Sequence, residues 1–165
     1  MLTRAKVPMT KEEVRWVSVA RLGVQPGDTV WDIGAGTGAV TFELARKAMD
    51  GAVFAVERNR EAVELIAQNR QKLGGFNVYI VQGHAPEVLA DLPKPNCVFV
   101  GGSGGNMREI IEIALTKNPK TRIVVNAIAL ETLQETQSLF AEFGLQQVEI
   151  TQLSAARGKS VGCYT

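Results

Sequence analysis

Long apolar runs, cysteine, histidine and an excess charge of either sign are all scarce in this 165-residue sequence. No stretch approaches the roughly 20 consecutive apolar residues that cross a bilayer. Met1 to Met9 carries Arg4 and Lys6 but no apolar core of an export signal, so neither membrane insertion nor export is expected. Cys97 and Cys163 are too few for a disulfide framework. Cys97 lies in the apolar run Cys97-Val98-Phe99-Val100 and reads as a buried structural thiol, which points to a reducing, cytoplasmic setting. One histidine, His84, cannot build a histidine-rich zinc site, and no metal is expected. With 18 basic and 17 acidic side chains the net charge is only +1, too mild for a nucleic-acid surface, and none is expected as partner. The distribution is uneven: residues 1–21 carry +3, residues 155–165 carry +2 and the remainder −4. Basic ends of this size suit a small polyanion.

What the chain does have is alternation. Thr29 to Ile33 is a short strand-like run, and Val40, Leu44 and Ala48 then recur at helical spacing. A second strand is expected over Ala52–Val56, followed by a helix with Val63, Ile66, Arg70 and Leu73 on its stripe, stopped by Gly74-Gly75. Val78–Val81 reads as a third strand, Pro86–Leu92 as a short helix, and Val98–Val100 as a fourth strand running into Gly101-Gly102-Ser103-Gly104-Gly105. Met107, Ile110, Ile111 and Ala114 mark a helix, Ile123–Ala127 a fifth strand, Leu130–Phe143 a helix closed by Gly144, and Val148–Leu153 a sixth strand. Ahead of them Thr10-Lys11-Glu12-Glu13 matches a capping box, opening a helix with Val14, Trp16, Val17 and Ala20 on its apolar side. Strands that alternate with helices imply a doubly wound, mostly parallel α/β sheet covered on both faces, because parallel strands need crossover helices. The length fits one domain: residues 1–27 as lead-in and capping helix, 28–154 as α/β core, 155–165 as a basic tail.

The sharpest signal is Val30-Trp31-Asp32-Ile33-Gly34-Ala35-Gly36-Thr37-Gly38-Ala39, a strand opening through glycines into a helix. Such a turn lets backbone approach a ligand where side chains would collide. Gly34, Gly36 and Ala39 fit the dinucleotide fingerprint, but Asp32 and Gly38 make the pattern Asp-x-Gly-x-Gly-x-Gly. That pattern resembles motif I of the Rossmann-like S-adenosylmethionine methyltransferases. Glu57 ends the second strand about twenty residues on, where a carboxylate can take both hydroxyls of a ribose or, alternatively, pair at the surface with Arg58 or Arg60. After the third strand, His84 stands where methyltransferases of this type usually carry an acid for the adenine amino group, so the adenine contact falls to the backbone at Ala85. His84 itself has three open roles: general base, hydrogen-bonding group or packing at the adenine edge.

At the fourth strand the chain has Phe99-Val100-Gly101-Gly102-Ser103-Gly104-Gly105 in place of the proline-aromatic clamp of amino-methylating relatives. Together with Pro8-Met9-Thr10-Lys11-Glu12-Glu13-Val14-Arg15 and Ala127-Ile128-Ala129-Leu130-Glu131-Thr132, this resembles the decarboxylating cobalt-precorrin 6B methyltransferase family of cobalamin synthesis, over about Pro8 to Lys159. The resemblance implies methylation of carbon 15 of a tetrapyrrole bearing several carboxylates. It implies S-adenosyl-L-methionine held by Thr10, Asp32, Gly34, Ala35, Gly36, Thr37, Gly38, Glu57, His84, Ala85 and Gly101. Substrate would meet Gly102, Ser103, Gly104, Arg157 and Lys159, with Arg4 and Lys6 also available; all four cations could equally be solvated surface charges. No catalytic base is named. A homo-oligomer is expected, a tetramer by resemblance, because so large a ligand needs walls from neighbouring subunits. Members of this class continue into a last antiparallel strand that this sequence, ending at Thr165, is expected to lack. An RNA or protein methyltransferase of the same fold, and a nicotinamide-binding oxidoreductase or a non-catalytic cofactor-binding fold, remain the rival readings.

Overall fold

The computed structural model describes residue 7 and residues 9–156. In chain order these are α1 (Glu12–Leu22), β1 (Thr29–Ile33), α2 (Ala39–Lys47), β2 (Ala52–Glu57), α3 (Arg60–Leu73), β3 (Val78–Gln82), a single 3₁₀ turn (Glu87–Leu89), β4 (Cys97–Val100), α4 (Met107–Lys117), β5 (Arg122–Val125) and α5 (Leu130–Glu142). The strands form one sheet in the order β3-β2-β1-β4-β5, every pairing parallel. The doubly wound α/β architecture read from the alternation is therefore what the chain adopts.

Strand periodicity divides the core in two. Val30, Val53, Ala55, Val78, Cys97 and Phe99 point to one face and pack with Val19 and Leu22 of α1, Val40, Phe42 and Leu44 of α2 and Ile66 of α3. Trp31, Ile33, Val56, Val98 and Val100 point to the other and meet Ile110, Ile111 and Ala114 of α4 and Leu139 of α5. Trp31 is fully buried and its Nε1 donates to Pro93 O at 3.1 Å, so the indole brings no unpaired donor into the core. Burial of a side chain of this size stabilises by on the order of 2–3 kcal/mol. Helix ends follow local chemistry: Asn59 Oδ1 accepts from Glu61 N and Ala62 N to start α3, and Gly23 and Gly74, both left-handed, stop α1 and α3.

Several local expectations are corrected. The N-cap of α1 is Lys11, not Thr10, and makes no side-chain cap bond; the Thr10 carbonyl instead accepts from Arg15 Nη1 at 3.2 Å. Arg15 also pairs with Glu43, which ties this end of α1 to α2. The buried face of α3 is Ala62, Leu65, Ile66 and Asn69, rotated from the expected stripe because Asn69 rather than Arg70 turns inward. Pro86–Leu92 yields only the three-residue turn, since the carbonyls of Ala90 and Leu92 face Lys117 Nζ at 2.7 and 2.8 Å instead of continuing a helix. Val148–Leu153 forms no strand: Val148, Ile150 and Leu153 stand exposed, and an extended segment without a ladder partner is not a sheet strand. Among the described residues no strand is antiparallel and no helix is long and apolar enough to cross a membrane.

Candidate functional site

Winding reverses between β1 and β4: β1, β2 and β3 progress to one side, β4 and β5 to the other. In such sheets the crevice beyond the carboxyl ends at the reversal is where ligands bind, and both strands meeting here end in glycines. Gly34, Gly36 and Gly38 adopt φ of 74°, 56° and 77°, which L side chains rarely tolerate. Gly34 N and Ala35 N donate to Val56 O at 3.0 and 3.1 Å, and Gly38 N donates back to Ala35 O at 2.9 Å, closing the turn at the start of α2. Asn69 Nδ2 donates to Thr37 O at 3.1 Å and ties the turn to α3. From the facing strand, Gly101 N and Gly102 N both donate to Ile33 O. The loops touch so closely that a Cβ on Gly34 would lie 2.7 Å from Gly102 O.

Two carboxylates sit in this crevice. Glu57 Oε2 accepts from Gly36 N at 2.9 Å and Oε1 from Asn59 N at 2.8 Å, so it is fixed by backbone amides and not by Arg58 or Arg60. Each oxygen keeps a further lone pair for a ligand hydroxyl. Asp32 is fully buried; its Oδ2 accepts from Thr41 Oγ1 at 2.5 Å, while Oδ1 has no partner among the described residues. Burial raises its pKa to about 7, the Thr41 hydrogen bond opposing the shift and the Glu57 charge adding to it. A buried carboxylate oxygen left open beside a glycine cradle fits a ligand with a positive end and a ribose, as S-adenosylmethionine has.

Asp32, the Gly34–Gly38 turn, Glu57, Gly101 and Gly102 are thus brought together. Ala85 follows β3 and is held by Asn106 Nδ2 on its carbonyl at 3.0 Å, while exposed His84 accepts Val88 N on its own carbonyl. Both stand past the end of β3, and Gly83 N, just before them, donates to Glu57 O at 3.0 Å. Thr10 is linked through Arg15 to Glu43 of α2 and makes no hydrogen bond to the glycine turn among the described residues. Arg4, Lys6, Arg157 and Lys159 lie outside the described residues.

Beside the crevice a cavity of about 250 Å³ is lined by Gly102, Ser103, Gly104, Met107, Asn126 and Thr132 among others. A larger groove of about 570 Å³ runs between α1 and α2 past Arg15, Trp16, Phe42 and Arg46. It includes neither the strand-end glycines nor the Asp32–Glu57 pair, so the two spaces are separate, and the strand ends are the candidate site. Sequence reading missed Thr41, Asn69, Asn106 and Asn126. The available signals were a polar residue in the first turn of a buried helix, an asparagine on an apolar stripe, and an asparagine at the carboxyl end of the fifth strand.

Comparison with known proteins agrees with this fold. Residues 4–165 match the family described as a precorrin methyltransferase domain. A probable cobalt-precorrin-6B C(15)-methyltransferase (decarboxylating) of Pyrobaculum calidifontis is 42% identical over 161 residues, 96% of this chain and 82% of the relative. The crystal structure of a precorrin 8w decarboxylase from Methanobacterium thermoautotrophicum superposes with a TM-score of 0.88 at 40% identity, covering 94% of this chain and 84% of that one. A precorrin-6y C5,15-methyltransferase of Geobacter metallireducens gives a TM-score of 0.82 at 39% identity, covering 87% and 77%. The resemblance carried by the glycine motifs is borne out, and the chain belongs to the precorrin methyltransferase family.

Proposed function

We propose that the chain is an S-adenosylmethionine-dependent methyltransferase that methylates carbon 15 of cobalt-precorrin-6B and removes one of its acetate carboxyls. S-adenosylmethionine, when bound, supplies an electrophilic methyl group on a sulfonium sulfur. Asp32 Oδ1 and Glu57 hold its cationic end and its ribose, and the Gly34–Gly38 turn admits its backbone-close approach. Methyl transfer is a displacement in which orientation supplies most of what a protein can offer, so a floor without side chains is the useful feature.

The observation that carries the reading is Gly102. Its φ lies outside the left-handed region and nothing stands within 4 Å of where its Cβ would be. Neither backbone conformation nor packing of the chain therefore demands a glycine there, and the bare backbone leaves its open side to a ligand. Ser103 and Gly104 extend that floor, and Arg157 and Lys159 serve as anchors for peripheral carboxylates. In this reading the chain is one domain, works in the cytoplasm, and assembles as a tetramer that supplies further walls. Support for the assembly comes from Ile128 and Leu130, 103% and 81% exposed at the rim. The two cysteines, Cys97 buried and free, support the reducing compartment.

Calorimetry with S-adenosylhomocysteine and with NADH tests the cofactor class: binding of the first and not the second is expected. Gly102→Ala should melt within about 0.5 kcal/mol of the parent. It should hold S-adenosylhomocysteine normally and yet methylate cobalt-precorrin-6B at least about tenfold more slowly, the cost of a misplaced substrate. Parental turnover in that variant would remove Gly102 from the substrate floor.

A further inference from the structure

Resting on that reading of the reaction, we propose that the cavity between the β4 glycine run and the end of β5 receives the carboxymethyl arm from which the substrate loses its carboxyl. Asn126, held by Ser18, orients the arm there. Asn126 is fixed at its backbone, where its amide donates to Val100 O at 3.0 Å, and its side chain meets α1. Ser18 Oγ lies 2.8 Å from Val14 O and 3.0 Å from Asn126 Oδ1. The hydroxyl therefore has two acceptors within reach of its one proton, and it ties the Asn126 side chain to α1. This contact places the Asn126 amide beside the cavity, and Asn126 Nδ2 has no partner among the described residues.

Two other donors in the lining are also unspent. Ser103 Oγ accepts from Gly105 N at 3.3 Å but gives its own proton to nothing described, and Thr132 Oγ1 makes no described hydrogen bond. Buried Met107 backs the wall and exposed Ile128 stands at its mouth; the lining side chains are uncharged, with the Arg58 guanidinium behind Gly104. At about 250 Å³ the space suits one arm, not a macrocycle. Neutral donors suit a carboxylate that must leave. They orient it by hydrogen bonds, whereas an ion pair would stabilise the charge of the ground state more than the transition state in which that charge departs. In the step itself the bond between the methylene carbon and the carboxyl carbon breaks and the carboxyl leaves as neutral carbon dioxide. The bonding pair passes into the conjugated macrocycle, and the methylene gains one proton from water to become methyl.

Parent, Asn126→Asp and Thr132→Val enzymes are incubated with S-adenosylmethionine and cobalt-precorrin-6B, and mass spectrometry counts methyl gained and carbon dioxide lost in each product. A carboxylate at 126 repels the arm, so methylated product that keeps its carboxyl should accumulate. Carbon dioxide per methyl should fall at least about tenfold, the scale of one lost hydrogen bond to a charged group. Thr132→Val should move the ratio the same way by less, and decides the matter alone if the first variant fails to fold. Ser18→Ala should lower the ratio and Ser18→Thr restore it, with S-adenosylhomocysteine affinity unchanged in both. A parental ratio in Asn126→Asp and Thr132→Val overturns the arm subsite while leaving the reaction intact. A parent enzyme that binds S-adenosylhomocysteine but neither methylates nor decarboxylates the substrate overturns the reaction itself.

Discussion

At the amino ends of β1, β4 and β5, Asp28 Oδ2 accepts from Arg122 Nη2 at 2.6 Å and from Gln25 N at 2.9 Å, and the same guanidinium reaches Leu22 O at 3.0 Å and Gly23 O at 3.2 Å. The Cys97 thiol packs into this network, and burial pushes it up to about 12, beyond thiolate chemistry at neutral pH. At the carboxyl ends of the same strands, Asp32 Oδ1 stands open and glycines replace side chains over two loops. One sheet end ties its polar groups to one another, whereas the other leaves a carboxylate oxygen unpartnered beside bare backbone. The difference teaches where stability and activity are separable in this fold.

Removing the open charge should have the largest effect. Asp32 titrates at about 7 in the folded chain against its ordinary 3.8, so between those values the folded chain holds a proton that the unfolded chain has lost. Stability therefore falls as pH rises through that window, by up to about 4 kcal/mol at its upper end. Asp32→Asn should abolish that loss, and denaturant melts of the ligand-free proteins should show the variant gaining on the parent steadily from about pH 4 to pH 7. A difference that stays flat with pH would mean that Asp32 Oδ1 already has a compensating partner.

Glu57→Ala comes next: loss of a charged acceptor to the ribose should weaken S-adenosylhomocysteine binding by on the order of 1.5–3 kcal/mol. Calorimetry showing a change of a few tenths would return Glu57 to a role in bracing Gly36 and Asn59. The smallest effect belongs to the closed end. Asp28→Asn weakens the ionic bond to half-exposed Arg122 and should lower stability by about 1 kcal/mol, with S-adenosylhomocysteine affinity within about twofold of the parent. A large affinity loss there would show the two ends to be coupled and the contrast false.

Much of the carboxyl end was legible in the sequence because glycine spacing and strand-end acids report backbone geometry directly. Asp32, Gly34, Gly36, Gly38 and Glu57 converge as their order along two neighbouring strands requires. The amino end was not legible: Asp28, Cys97 and Arg122 are separated by tens of residues and meet only through strand order. Asn69 and Asn126 were hidden for a similar reason, since a polar residue reveals its partner only when packing supplies one. The sixth strand and the capping box failed where local pattern was read without the neighbour each needs. Residues 148–153 have a strand's alternation but no ladder, and Thr10 has a cap's chemistry but stands one residue ahead of Lys11, the residue at the N-cap.

Strand order has a further consequence in the time domain. β1 is flanked by β2 and β4 along its length, whereas β3 and β5 each have one described neighbour. Amides at the outer strands are released to solvent by small openings, but those of β1 are freed only when the sheet comes apart. Asp32 and the turn from Gly34 onward therefore hang from a strand shielded on both edges, and breathing of the sheet's margins leaves the glycine turn standing.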